Sequence, residues 1–222
     1  MTTPYQTDSF TSQREAMVKT QLRARGIRDE RVLAAMSRVP RHEFVAGDSR
    51  SQAYEDHPLP IAEGQTVSQP YIVARMLEGL ALDGSEIVLE VGTGSGYQTA
   101  LLAELCRHVE SVERHESLAG SAKSTLARLG YRNATVTIGD GSQGLAQRSP
   151  FDAIIVSAAA PRIPQALLEQ LREGGRLVIP VGPASAQDLQ LVYKRAGKIV
   201  VESLDGCRFV PLIGEQGYKD GW

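Results

Sequence analysis

The residues best placed to do chemistry begin with Val88-Leu89-Glu90-Val91-Gly92-Thr93-Gly94-Ser95-Gly96-Tyr97. An apolar run of strand length ends there and a helical stretch begins. Glycines at such a junction permit a tight turn and let a ligand approach the backbone closely. The spacing is G-x-G-x-G. A dinucleotide fingerprint, G-x-G-x-x-G, would want a small residue where this chain has Tyr97, so a pyrophosphate is not the ligand that the loop favours. Two acids follow. Glu113 closes the next apolar run about 20 residues beyond the glycines, where open-sheet nucleotide folds place a carboxylate to accept both ribose hydroxyls. Asp140, in Ile138-Gly139-Asp140-Gly141, follows a third run and could accept from an adenine amino group. Taken singly, Glu113 reads as a solvated strand end and Asp140 as a turn former. Together, at the carboxyl ends of three successive strands, they outline one crevice for an adenosine. A nicotinamide cofactor would share the ribose contact, so at this point only the glycine spacing separates the two ligands.

These residues need a sheet to hold them, and the pattern supplies one. After Asp83-Gly84, short apolar runs alternate with helical stretches. Strands are expected at Ile87–Val91, His108–Glu113, Thr135–Ile138, Ala153–Val156 and Arg176–Val181. Helices are expected at Gln98–Cys106, Ser117–Leu129 and Gln165–Leu171. Such a series implies a mostly parallel sheet covered on both faces. Leu189–Lys194, the turn Ala196-Gly197 and Ile199–Leu204 read instead as a hairpin, which puts an antiparallel strand at the sheet edge. Upstream, the first dozen residues look polar and loose. Ser12-Gln13-Arg14-Glu15 reads as a capping box opening a helix that Gly26 stops. Asp29 can cap a second helix that ends before Pro40. Residues 40–69 show no period and read as a long ordered loop, a length that points to function. Pro70 suits the first turn of a helix running to about Leu82.

Composition sets the outer limits. The chain has 222 residues, 42% of them hydrophobic and 23% charged, an ordinary globular balance for one large domain. With 24 basic and 26 acidic side chains the net charge is −2, which disfavours a nucleic-acid binder relying on broad electrostatics. No apolar run approaches the roughly 18 residues of a membrane span, and the N-terminus has no secretory pattern. Cys106 and Cys207 have no metal-ligand spacing. Neither do the four histidines, 42, 57, 108 and 115, so no metal is expected. A cytoplasmic location fits best.

The long loop carries a different signal: Ala53-Tyr54-Glu55-Asp56-His57-Pro58-Leu59-Pro60-Ile61, then Gly64-Gln65-Thr66-Val67-Ser68-Gln69-Pro70-Tyr71. With the glycine loop, residues 151–156 (FDAIIV), 174–180 (GGRLVIP) and 208–212 (RFVPL), this segment closely resembles the protein-L-isoaspartate O-methyltransferases of bacterial type. The resemblance runs from about Glu15 to Glu215 and is far more specific than the glycines alone. It implies an α/β, Rossmann-like class I methyltransferase sheet, seven-stranded and mostly parallel, with an antiparallel edge hairpin and an N-terminal helical cap. One domain spans 1–222, with cap and substrate loop at 1–83, the cofactor-binding sheet at 84–215, and a tail at 216–222 in which Trp222 is expected to be disordered. It also implies S-adenosyl-L-methionine as methyl donor, S-adenosyl-L-homocysteine as product, and the free α-carboxylate of an isoaspartyl residue in a damaged protein as acceptor.

On that reading Glu90, Gly92, Thr93, Gly94 and Gly96 face the methionine end of the cofactor, Glu113 and Arg114 its ribose, and Asp140 and Gly141 its adenine. Read from position alone, Ser68 is better suited to cap the helix that follows; it matches the family's active-site serine, and the resemblance implies that it orients the acceptor carboxylate, with or without capping as well. Thr66, Val67 and Gln69 would line the same pocket. Arg208 and Val210 would form the other wall, with the backbone of 208–211 pairing with a peptide and Arg208 either attracting the carboxylate or serving as a surface ion-pair partner. A carboxylate is already ionised at neutral pH, so no general base is required and none is recognisable. Two other classes share part of the pattern. An adenosylmethionine enzyme acting on a small molecule or RNA leaves residues 53–71 unexplained, and a binding module without chemistry leaves the intact glycines and acids unexplained. The expected partners are isoaspartyl proteins, with no nucleic acid or membrane, and the chain is expected to be a monomer.

Overall fold

The computed structural model describes residues 4–219, with side chains described from Ser9 onward. Trp222, expected to be disordered, lies outside the described residues. The seven-stranded sheet is present. Its strands are β3 (Ile87–Val91), β4 (His108–Glu113), β5 (Ala134–Ile138), β6 (Phe151–Val156), β7 (Leu171–Val181), β8 (Gln187–Arg195) and β9 (Lys198–Cys207), in the order β5-β4-β3-β6-β7-β8-β9. The first five are parallel to one another; only β8 runs against its neighbours. The β8–β9 hairpin turns on Ala196 (φ 50°) and Gly197 (φ 71°), two consecutive left-handed residues whose twist suits a two-residue connection.

Helices α4 (Tyr97–Leu105), α5 (Glu116–Arg128), α3 (Pro70–Leu80) and α6 (Gln165–Gln170) flank the sheet. Leu89, Ile154, Leu177 and Ile179 are fully buried on one side, and Val88, Val109, Ile155 and Val178 on the other, as expected when helices cover both faces. Chain order reverses between β3 and β6, and open α/β sheets bind ligands outside the carboxyl ends of their strands at such a switch point. Val91 is in register with both Val112 and Val156, so the ends of β3, β4 and β6 reach the same edge.

The N-terminal third departs from expectation. Helix α1 runs Pro4–Ala16, so residues 4–12 are helical rather than loose and Ser12 lies inside the helix, not at its cap. Nothing from Tyr5 to Thr11 breaks a helix, and Pro4 suits a first turn. The helix continues as a π-helical turn over Met17–Leu22, which buries Met17, Val18 and Leu22, and ends at Gly26 with φ 102°. Asp29 caps α2 (Glu30–Arg38) by accepting from the N–H groups of Arg31 and Val32. The loop after Pro40 contains a two-stranded antiparallel ribbon, β1 (Leu59–Pro60) with β2 (Thr66–Val67), too short for periodicity to reveal.

Candidate active site

The glycine loop turns through three left-handed residues, Gly92 (φ 91°), Gly94 (φ 54°) and Gly96 (φ 88°), a conformation that other residues adopt only under strain. A side chain added at Gly94 would meet nothing nearer than Ile61 Cδ1 at 3.7 Å, whereas one at Gly96 would press on Ala122 of α5 at 3.2 Å. Gly94 therefore faces a cleft and Gly96 serves helix packing. Gly92, Thr93, Gly94, Glu113, Arg114 and Gly141 line this cleft.

Glu113 is buried. Its Oε2 accepts from Gly94 N–H at 2.9 Å and its Oε1 from His115 N–H at 3.0 Å. Each oxygen keeps a free lone pair, the capacity that two ribose hydroxyls require. The fit to an adenosine rests on this pairing of a backbone-anchored carboxylate with an open glycine turn. Glu113→Ala is expected to weaken S-adenosylhomocysteine binding by about 5- to 150-fold, the loss of roughly 1–3 kcal/mol when partners in a buried site go unpaired. Calorimetry with an unchanged affinity would remove Glu113 from the site.

Two residues predicted to touch the cofactor lie elsewhere. Asp140 does not line the cleft. Its Oδ1 accepts from the N–H and hydroxyl of Ser142, and its Oδ2 from Gln143 Nε2 and Glu215 N–H. Those four bonds fill the acceptor capacity of a carboxylate and leave nothing for an adenine amino group. Burial raises the Asp140 pKa and the bonds from Glu215 and Ser142 more than offset it, so the carboxyl titrates below its usual range. Asp140 instead ties down the C-terminal segment: Gln216 N–H bonds Ser142 Oγ at 3.0 Å, and a side chain at Gly214 would lie only 2.0 Å from Asp140 Oδ1. Residues 214–216 are thus packed against the turn at Asp140–Ser142.

Glu90 is fully buried beneath the loop. Its Oε2 accepts from Thr99 and Ser111 hydroxyls at 2.5 and 2.6 Å, its Oε1 from Gln98 Nε2 at 3.3 Å, and Ser111 Oγ meets Thr93 Oγ1 at 2.5 Å. Burial pushes the Glu90 carboxyl up to about 7 against the pull of these donors. Its place in the fold is to hold the glycine turn on α4 and β4 from below, since the cleft does not reach it.

A second hollow adjoins the first, lined by Arg208, Gln69, Pro58 and Phe209 among others; Thr66, Ser68, Ser157 and Val210 border both, and Val67 lines the first. The β1–β2 ribbon sets Thr66 and Ser68 at this junction. Its tip is fastened to α5 where Ser117 Oγ donates to Glu63 Oε1 at 2.6 Å. Ser68 does not cap α3. Gln69 holds the cap position without a side-chain cap, and the N–H of Tyr71 goes to Asp56 Oδ1 at 3.2 Å. Gln69 spends its Nε2 on Asp56 as well. The Ser68 hydroxyl makes no hydrogen bond among the described residues.

Arg208 is exposed and forms no ion pair among the described residues, so of its two expected roles the surface salt bridge is not realised. The 208–211 backbone offers fewer free donors and acceptors than expected. Phe209 N–H is spent on Gln187 Oε1 at 2.8 Å, Pro211 has none, and Val210 O accepts from Ala159 N–H. His57 is engaged by Glu55 and Pro58 O, and burial pushes both cysteine thiols up to about 12, far from reactive. Among the described residues no three metal-ligating side chains gather and no helix is long and apolar enough to cross a membrane.

A parallel sheet of this order, with a glycine turn and a buried acid at the ends of its central strands, defines the class I methyltransferase fold. Within that class, residues 12–217 match the family model of protein-L-isoaspartate(D-aspartate) O-methyltransferase. The chain is 57% identical over 210 residues to a protein-L-isoaspartate O-methyltransferase of Koribacter versatilis, covering 95% of each chain. It is 55% identical to one from Methanoculleus marisnigri, covering 96% of each. A solved protein-L-isoaspartate O-methyltransferase superposes with a TM-score of 0.83 at 31% identity, over 92% of this chain and 67% of that one. A structure described as such an enzyme from Plasmodium falciparum, in complex with S-adenosyl-L-homocysteine, superposes with a TM-score of 0.77 at 28% identity, over 90% and 98%. This chain belongs to the protein-L-isoaspartate(D-aspartate) O-methyltransferase family.

Proposed function

We propose that the chain methylates the free α-carboxylate of L-isoaspartyl residues in damaged proteins, with Ser68 orienting the carboxylate, the first hollow holding S-adenosyl-L-methionine and the second holding the acceptor peptide. The observation that carries this reading is the position of Ser68: an unpartnered hydroxyl on the border between two hollows. Bound S-adenosyl-L-methionine supplies a methyl group on a sulfonium that departs as the neutral thioether S-adenosyl-L-homocysteine.

The chain's own residues bind and align. Glu113 and the turn at Gly92, Thr93 and Gly94 hold the donor, with Arg114 and Gly141 at the rim. Ser68 donates to one carboxylate oxygen, Arg208 draws the anion in, and Thr66, Val67, Gln69 and Val210 wall the passage. Catalysis here is positioning, which can supply several kcal/mol without a base, together with exclusion of water from the nucleophile. We place the protein in the cytoplasm as a monomer acting on protein substrates, without nucleic acid or membrane; the net charge of −2 and the two unpaired cysteines support this.

The biological consequence follows from the ester. A carboxylate is a poor acyl electrophile because oxide would have to leave. The methyl ester lets the next backbone nitrogen close a succinimide and release methanol, and the ring reopens in part to the normal aspartyl linkage. The test is transfer of labelled methyl to an isoaspartyl peptide beside its aspartyl twin, followed by chromatography. Labelling of the isoaspartyl form alone, with conversion through succinimide to aspartyl peptide, is expected. Equal labelling of both peptides, or a stable ester that never cyclises, would sink the repair reading.

A further inference from the structure

Ser157, the first residue past β6, borders both hollows. Its backbone is locked to the sheet, since its N–H is donated to Val91 O at 2.8 Å. Its Oγ accepts from Gln98 Nε2 at 2.7 Å. The same nitrogen donates to Glu90 Oε1 at 3.3 Å, while Glu90 Oε2 accepts from the hydroxyls of Thr99 and Ser111. The Nε2 end of the buried Gln98 amide thus faces Ser157. Both Nε2 hydrogens are spent, Ser157 Oγ receives one of them, and the serine's own proton has to point elsewhere. It meets no other acceptor among the described residues, and the open side of the residue is the cleft.

We propose that Ser157 is a second hydroxyl donor to the acceptor carboxylate, facing Ser68 across the junction, with Gln98 as its positioning residue. Two hydroxyls on two different elements, one on the ribbon and one at a strand end, fix the plane of a carboxylate where one fixes only a distance. The strand-end hydroxyl is anchored in the rigid sheet, while Ser68 rides on a loop. Ser157 thus gives the acceptor a reference point on the same framework that holds the glycine turn: a side chain built at Gly92 would lie 3.5 Å from Ser157 Cβ. Its place beside Arg208 in the second hollow favours the acceptor over the cofactor's own carboxylate as its partner.

This inference rests on the isoaspartyl reading of the site, and the experiment keeps the two apart. Ser157→Ala should lower kcat/KM for an isoaspartyl peptide about 10-fold while S-adenosylhomocysteine affinity by calorimetry stays within twofold. Ser157→Thr, which keeps a hydroxyl, should restore most of that loss. Gln98→Leu, which leaves the serine in place but unoriented, should lower kcat about threefold with little change in cofactor affinity. An unchanged kcat/KM in Ser157→Ala overturns the proposal, as does a matching loss of S-adenosylhomocysteine affinity, which would give Ser157 to the cofactor. Wild-type enzyme that labels aspartyl and isoaspartyl peptides equally defeats the underlying reading, and this proposal with it, by a result no Ser157 variant can produce.

Discussion

Ser68→Ala is expected to lower turnover of an isoaspartyl peptide by roughly 10²-fold, the scale of a reacting group displaced by about 1 Å from its aligned position. The melting temperature and S-adenosylhomocysteine affinity should stay at wild-type values. The combination matters because a serine two residues before a helical proline is an ordinary capping residue, and losing a cap costs about 1 kcal/mol of stability. The structure removes that explanation. Asp56, 15 residues from Tyr71 in sequence, accepts the N–H that a cap would serve, and Gln69 bonds the same carboxylate. Arg41 holds the Ser68 carbonyl, which alanine retains. With its local job taken by Asp56, the hydroxyl is left to face the junction of the two hollows. Kinetics and a thermal melt on one preparation decide the matter. A lowered melting temperature with normal turnover would return Ser68 to a structural role.

The same comparison explains how much could be read in advance. Strands β3 and β4 both fall on the expected residues: β3 is the near-continuous apolar run of a buried parallel strand, and β4, with only Val109 and Val112 apolar, was placed by its position between two helical stretches. The Asp29 cap, the Pro70 start and the Ala196-Gly197 turn were legible because each depends on two or three neighbouring residues. The glycine turn and Glu113 were legible for the same reason: each sits at a strand end, where the neighbouring pattern fixes its position. What failed was non-local. Asp140 looks available until residues 214–216 fold back and fill its acceptor capacity. Glu90 reads as part of the loop until Thr99, Ser111 and Gln98 close around it. Ser12 carries a valid capping signal, but a helix that had already begun at Pro4 overrides it. Ser157 was missed although a signal existed, as it is the first polar side chain beyond a strand at the switch point, where ligands are expected.

Arg41 gave no signal in the sequence, and its replacement carries the other large expected effect. It is fully buried, an uncommon place for a guanidinium, and it forms no ion pair among the described residues. Its Nη1 donates to Ala53 O, and its Nη2 to Ser68 O at 3.0 Å and His57 O at 3.5 Å. The Tyr97 ring lies 5.7 Å from its centre. Burial lowers its pKa and the phenols of Tyr97 and Tyr54 and the Asp56 carboxylate oppose that, so it stays charged across the physiological range. One planar fork thereby ties three points of the 53–68 loop together, and one of those points is the backbone of Ser68. Arg41→Met keeps much of the volume and removes the charge, leaving two close carbonyls without donors. At roughly 1–3 kcal/mol for each orphaned buried acceptor, the expected loss is about 2–6 kcal/mol, or about 4–24 °C of melting temperature for a domain of this size. Activity should fall beyond what unfolding explains: at 20 °C, well below the melt, kcat/KM is expected to drop at least 10-fold while S-adenosylhomocysteine affinity changes little. The glycine turn and Glu113, which we propose hold the donor, lie on the sheet, and only the loop that carries Ser68 comes adrift. Arg41→Lys should rescue poorly, because a single ammonium presents no planar fork and spans the three carbonyls less well. A methionine variant with wild-type kcat/KM at 20 °C would show that the loop keeps its shape without the fork, and Ser68 would then owe its position to the ribbon and Asp56 alone.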